Sequence, residues 1–184
     1  MQEPLPGGAD PGASLPSFGP WGRALFAASR ALALAGGLVF VALVAMSVVS
    51  IVGRKLASAP IPGDVEVLQM CAAFACASFF AYCHLQGGDV KVDFFTSRMS
   101  PAAMHALDAV GSLLYTAVGA ALAWRSLAGA LAVKDSGETS VILGWPVWIA
   151  QVLMVPGFAL MALAGAYMML AHLRVAMLAR ERAR

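Results

Sequence analysis

Three histidines, three cysteines and a pair of carboxylates are the side chains here with chemistry to offer. His84, His105 and His172 could hold haem or zinc, provided that imidazoles face one another at matching depth. Histidines at helix ends more commonly carry no ligand, so no cofactor and no metal is assigned to them. Cys71, Cys76 and Cys83 form no Cys-x-x-Cys pair, and a thiol oxidase would need paired cysteines in an outer loop. They read as small packing residues. Asp64 and Glu66 follow the turn Pro62-Gly63. There Asp64 caps a helix and Glu66 sits in its first turn, both facing the positive helix end. A contact with a partner on that side is compatible with this role. None of these groups forms a catalytic set.

Composition decides which elements carry these groups. Of 184 residues 60% are hydrophobic and 12% charged, against about 25% charged in a soluble domain. That is too little charge for a soluble surface and too much apolar content for disorder. The net charge of +2 argues against nucleic acid as a partner. The chain is an integral membrane protein. Ala31–Gly53 is 23 residues without a formal charge, Val67–Gly88 is 22, and Asp108 to Lys134 encloses 25 interrupted only by Arg125. Glu138 to Arg174 encloses 35. A hydrocarbon core about 30 Å thick takes roughly 20 helical residues. Four transmembrane helices follow, near 28–53, 65–86, 104–132 and 145–172. The fold class is all-α integral membrane, with an amphipathic inner loop between the second and third helices. Residues 25–175 form the membrane domain, 1–24 a disordered cytoplasmic tail and 176–184 a basic cytoplasmic tail.

The surplus in the last run belongs to the approach to the fourth helix. Thr139–Leu143 reads as an extended segment, and Pro146 then stands in the first helical turn. Trp145 and Trp148 belong at the membrane interface. Pro156 is expected to kink the span, because its ring removes a backbone donor. Arg23, Arg30, Lys91, Arg98, Arg174, Arg180, Arg182 and Arg184 fall on one side, and Arg54, Lys55, Arg125 and Lys134 on the other. This excess places both termini and the central loop in the cytoplasm, with the lipid bilayer itself as a partner. Arg125, beside Trp124 and near the end of the third span, is expected to snorkel to the outer interface. Ala57-Ser58-Ala59 resembles a signal-peptidase site. The apolar stretch before it is about twice the usual length and Arg54-Lys55 intervenes, so the first span is read as retained.

Ionisable groups are missing where a pump or coupled carrier needs them, deep inside the spans. Asp64 and Glu66 open the second helix, Asp108 lies near the start of the third and Arg125 near its end. With no charge at a midplane and no interrupted helix pair, the chain reads as an accessory subunit rather than a complete carrier. Gly87-Gly88-Asp89-Val90-Lys91-Val92-Asp93-Phe94-Phe95 alternates polar and apolar residues and then gathers apolar ones. Such a stretch can lie along the inner face of the bilayer. Ser100-Pro101 supply a cap and a first-turn proline for the third helix. Ala117 with Ala121, Ala128 with Ala132 and Ala162 with Ala166 set small residues four apart. They permit close approach of helices, within the chain or to a partner.

Three segments in this order carry a family resemblance over roughly residues 25–175. They are Arg54…Pro60-Ile61-Pro62-Gly63-Asp64-Val65-Glu66, the stretch from Gly87 to Phe94, and Ser136-Gly137-Glu138-Thr139…Leu143-Gly144-Trp145-Pro146-Val147-Trp148. The chain resembles the small membrane subunit of TRAP transporters, the tripartite ATP-independent periplasmic family, often called DctQ-like. The resemblance implies a bacterial inner-membrane system in which a periplasmic substrate-binding protein captures an organic acid, often a dicarboxylate. A large multi-span transporter subunit then moves it by an elevator-like motion coupled to sodium, and the small subunit is a non-catalytic scaffold. By that resemblance Glu66 matches the usual acid at the start of the second span. Gly88, Val90 and Asp93 match an inner-loop motif, and Pro146 the start of the fourth span. Asp89 departs from it, standing where many members have His. The candidate partner or membrane contacts are therefore Asp64, Glu66, Gly88, Val90, Asp93, Phe94, Phe95, Trp145, Pro146 and Trp148. The rival readings are the small subunit of a tripartite tricarboxylate transporter and a haem-binding redox subunit using His84, His105 or His172.

Overall fold

The structure, a computed structural model, describes residues 19–58, 61–88 and 101–182. Asp89, Val90, Asp93, Phe94 and Phe95, and with them the amphipathic inner loop, lie outside the described residues, as do Ser100 and residues 1–18. Four helices follow in order: α1 Pro20–Ala57, α2 Asp64–Leu85, α3 Pro101–Ser136 and α4 Val147–Arg182. All four are long and apolar enough to cross a membrane, and no strand occurs among the described residues. The protein is an all-α, multi-pass membrane protein. The 22 residues of α2 rise about 33 Å, close to the hydrocarbon thickness. With 38, 36 and 36 residues, α1, α3 and α4 rise about 54–57 Å and overrun it. Charge-free runs mark the lipid-buried part of a helix, so they understate its length.

Local chemistry sets the helix ends. Pro20 opens α1, where its missing N–H has no partner to lose. At the end of α2 the Gly87 N–H donates to the His84 carbonyl at 3.1 Å and the Gly88 N–H to the Cys83 carbonyl at 3.0 Å. Gly88 thus closes the last turn of α2. Gly137 and Glu138 end α3 the same way, on the carbonyls of Lys134 and Val133. The α4 helix continues through Pro156, which membrane helices accommodate by satisfying the freed carbonyl elsewhere.

The helices stand in an open row. α3 packs on α4, α4 on α2 and α2 on α1, with a minor contact from α1 to α4, and the backbone of α3 meets neither α1 nor α2. Lipid supplies no hydrophobic drive between helices, so close backbone packing must hold them together. At position 157 an added Cβ would lie 2.8 Å from the Ala77 carbonyl oxygen, so α4 crosses α2 on glycine. Gly36 faces Ser78 in the α1–α2 contact and Gly119 faces Ala162 in the α3–α4 contact. Buried side chains are correspondingly small: Ala75, Ala77, Ala81, Ala164, Ser29, Ser50 and Ser78, with Leu85 the largest fully buried. No more than 22% of the most apolar stretch of any helix is buried. On α3 the buried positions are Ala109, Ser112, Gly119 and Ala130, whereas Ala117, Ala121, Ala128 and Ala132 are exposed. At 100° per residue these two sets occupy opposite faces. Two of the three alanine pairs picked out by spacing therefore turn away from α4.

Candidate functional site

At one end of the row the α1–α2 turn and the α3–α4 loop meet over the start of α2. Gly63, with φ +75°, holds the position before the helix. An L side chain rarely adopts that conformation, and a Cβ there would fall 2.6 Å from Leu143 Cγ. The expectation that Asp64 caps α2 is corrected by this: Gly63 holds the N-cap position and Asp64 is the first residue of the helix. Asp64 accepts the Val65 N–H at 2.8 Å. Its other partners lie on α1, where the buried Ser50 hydroxyl donates to Oδ2 at 2.5 Å and Arg54 Nη2 stands 3.6 Å away. Asp64 fastens the end of α1 to the start of α2.

Glu66 reaches further. Its Oε1 accepts the Ile142 N–H at 2.8 Å and its Oε2 the Leu143 N–H at 3.0 Å. One carboxylate thus gathers two consecutive amides, in charge-assisted bonds that are stronger than neutral ones. The loop it holds is a tight hairpin, not the extended approach expected. Thr139 and Pro146 form an antiparallel bridge, and the Ser140 N–H donates to the Trp145 carbonyl at 2.8 Å. The Val147 N–H donates to the Glu138 carbonyl at 3.3 Å. Ser140, Gly144 and Pro146 let the chain double back. Pro146 accordingly precedes α4 rather than lying in its first turn. The tip presents Val141, Ile142 and Trp145, with Val141 96% exposed. Trp148, the second residue of α4, has Lys134 Nζ 5.3 Å above its ring.

Asp64, Glu66, Trp145, Pro146 and Trp148 are thereby brought to one end, while Gly88 lies at the far end of α2. Val90, Asp93, Phe94 and Phe95 lie outside the described residues. Ser50 was not anticipated; a hydroxyl two turns before the end of a span carries no signal until the turn folds it onto Asp64.

Among the described residues no Asp, Glu, Lys or Arg is buried. Arg125 lies well inside α3. The helix runs 11 residues beyond it to Ser136, about 16 Å. Contacts of Gly119 with Ala162, Gly129 with Gln151 and Lys134 with Trp148 set the register of α3 on α4. That register puts Arg125 level with Pro156 and Gly157, where α4 crosses the middle third of α2 at Ala77. Arg125 is exposed and turned away from α4, beside Trp124 at 73% exposure. Arg125 therefore stands three turns before the end of α3, level with the Gly157–Ala77 crossing.

The opposite end gathers the histidines. His84 stacks on Tyr115 with ring centroids 4.1 Å apart, and the Tyr115 hydroxyl donates to the Phe80 carbonyl at 2.8 Å. His105 and His172 approach with centroids 5.8 Å apart, and Asp108 Oδ2 lies 3.9 Å from His172 Nδ1. The spacing of His105 and Asp108 on one helix face was the available signal for this group. The arrival of His172 depended on the α3–α4 register.

The family model described as the DctQ component of the tripartite ATP-independent periplasmic transporters matches residues 43–175, from within α1 to Val175 of α4. No curated protein and no solved structure matches the chain.

Proposed function

The chain belongs to the DctQ-component family of tripartite ATP-independent periplasmic transporters, and on that premise we propose that this small membrane subunit is a fixed, non-catalytic scaffold. Its partner is a large multi-span subunit that moves an organic acid with sodium, fed by a periplasmic substrate-binding protein. The complex sits in a bacterial inner membrane with both termini of this chain cytoplasmic, so the Asp64–Glu66 clasp and the Trp145 hairpin face the periplasm. The inner loop with Val90, Asp93, Phe94 and Phe95 anchors at the opposite lipid surface.

One observation carries this reading: the row is open and has no buried Asp, Glu, Lys or Arg among the described residues. An ion path through such a layer would lack the groups that replace hydration. A layer one helix thick also leaves its edges to be covered. The free edge of α3 is the one assigned to the large subunit. There Ala117, Ala121, Ala128 and Ala132 let another helix approach closely, and Arg125 is costly in lipid until it is paired.

Reconstitution tests the proposal. Proteoliposomes holding this chain alone should take up no organic acid under a sodium gradient. Liposomes holding it with a large membrane subunit of its transporter, plus the binding protein, should. Flux through the chain by itself would overturn the scaffold role.

A further inference from the structure

His105 and Asp108 are three residues apart on α3 and share a face, and α4 brings His172 against them. One ligand atom from each of the three lies within 4.8 Å of the others. A tetrahedral zinc ion with bonds of about 2.0–2.2 Å sets its ligand atoms roughly 3.4 Å apart. Closing the trio to that spacing takes side-chain rotation of about an ångström, within one rotamer well, with both helices left in place. All three residues are half-buried, so the chelate would be shielded on one side and reachable on the other.

Two further features point to a ligand. The Nδ1 of His105 is buried and makes no hydrogen bond among the described residues, although a neutral imidazole nitrogen out of water ordinarily finds a partner. A cavity of about 360 Å³ also opens onto Asp108 and His172, bounded by Gly111, Ser112 and Tyr115. It has room for the water or second ligand that an incomplete protein shell leaves to solvent. Two imidazoles and a carboxylate, with no sulfur, suit zinc and its first-row neighbours rather than calcium or magnesium.

We propose that His105, Asp108 and His172 bind a divalent transition metal of the zinc class, which cross-links α3 to α4 at the end of the row away from the Asp64–Glu66 clasp. The metal does no redox chemistry here. It adds a fixed point where α3 and α4 run on past the end of α2.

The test uses the full chain in detergent, freed of any histidine tag, stripped with chelator and equilibrated with ZnCl₂. Bound zinc is measured by inductively coupled plasma mass spectrometry, and CoCl₂ provides visible absorption bands as a geometry readout. About one equivalent should bind with micromolar affinity or tighter, and His105→Gln, Asp108→Asn and His172→Gln should each weaken binding by about tenfold or more. Zinc should also raise the melting temperature of the unsubstituted protein and not of the variants, with far-ultraviolet circular dichroism showing that the variants keep their helices. His84→Gln, which alters the same cavity outside the trio, should bind as the unsubstituted protein does. Absence of saturable zinc or cobalt binding by the unsubstituted chain would overturn the proposal, and so would binding that survives all three substitutions.

Discussion

Glu66 accepts hydrogen bonds from two consecutive amides that lie 76 and 77 residues further along the chain. The sequence shows an acid in the first turn of a helix, and the helix dipole accounts for it without any distant partner. What it cannot show is that Ile142 and Leu143 turn their N–H groups toward it, because that depends on the hairpin between α3 and α4. Asp64 repeats the lesson, since its partners Ser50 and Arg54 lie on a different helix. Substitution at Glu66 should therefore act on the hairpin. Glu66→Gln keeps one acceptor oxygen and loses the charge, and Glu66→Ala loses both acceptors. Amide exchange at Ile142 and Leu143, followed by mass spectrometry, should quicken in the order unsubstituted, Gln, Ala, while Ala75–Ala81 stays slow. Equal rates at the loop in all three would mean that the Thr139–Pro146 bridge holds it unaided.

Each α-helix was legible from its run of uncharged residues, since nothing else satisfies a backbone in lipid. Their contacts were less legible. Spacing singled out alanine pairs on α3, yet α3 meets α4 through Ser112, Thr116 and Gly119, and the pairs face outward. Small residues abound in these spans, so spacing alone does not say which face is used. Two glycine substitutions separate crowding from intrinsic preference. Gly157→Ala drives a methyl into the Ala77 backbone and should cost about 1–3 kcal/mol, as overpacking does. Gly111→Ala meets nothing within 4 Å and should gain up to about 1 kcal/mol from helix propensity. Thermal unfolding in a common detergent should shift the two variants in opposite directions.

A row of four helices has two free edges, one on α3 and one on α1. The α3 edge carries Arg125, level with the Gly157–Ala77 crossing, and burying it in a subunit interface with a partner acid or carbonyl removes its cost in lipid. Arg125→Glu reverses the sign needed for such a pairing. It should weaken co-purification with the large subunit by about tenfold or more, equivalent to roughly 1.4 kcal/mol. Val48→Ser, on the exposed face of α1, should leave it unchanged. The reverse pattern would move the interface to the α1 edge.

The residues alone determined that this chain has four helices able to cross a membrane, because a helix of roughly 20 predominantly apolar residues matches the hydrocarbon core. They also determined its family, through three short segments at the span ends. The open row, the level of Arg125 beside α4 and the meeting of His172 with His105 and Asp108 were decided only in three dimensions. Each depends on where one helix is set along another, and in lipid that register follows from which small residues let two backbones touch. Hydrophobic patterning marks depth and says nothing about neighbours, since every face of these helices is apolar enough for lipid.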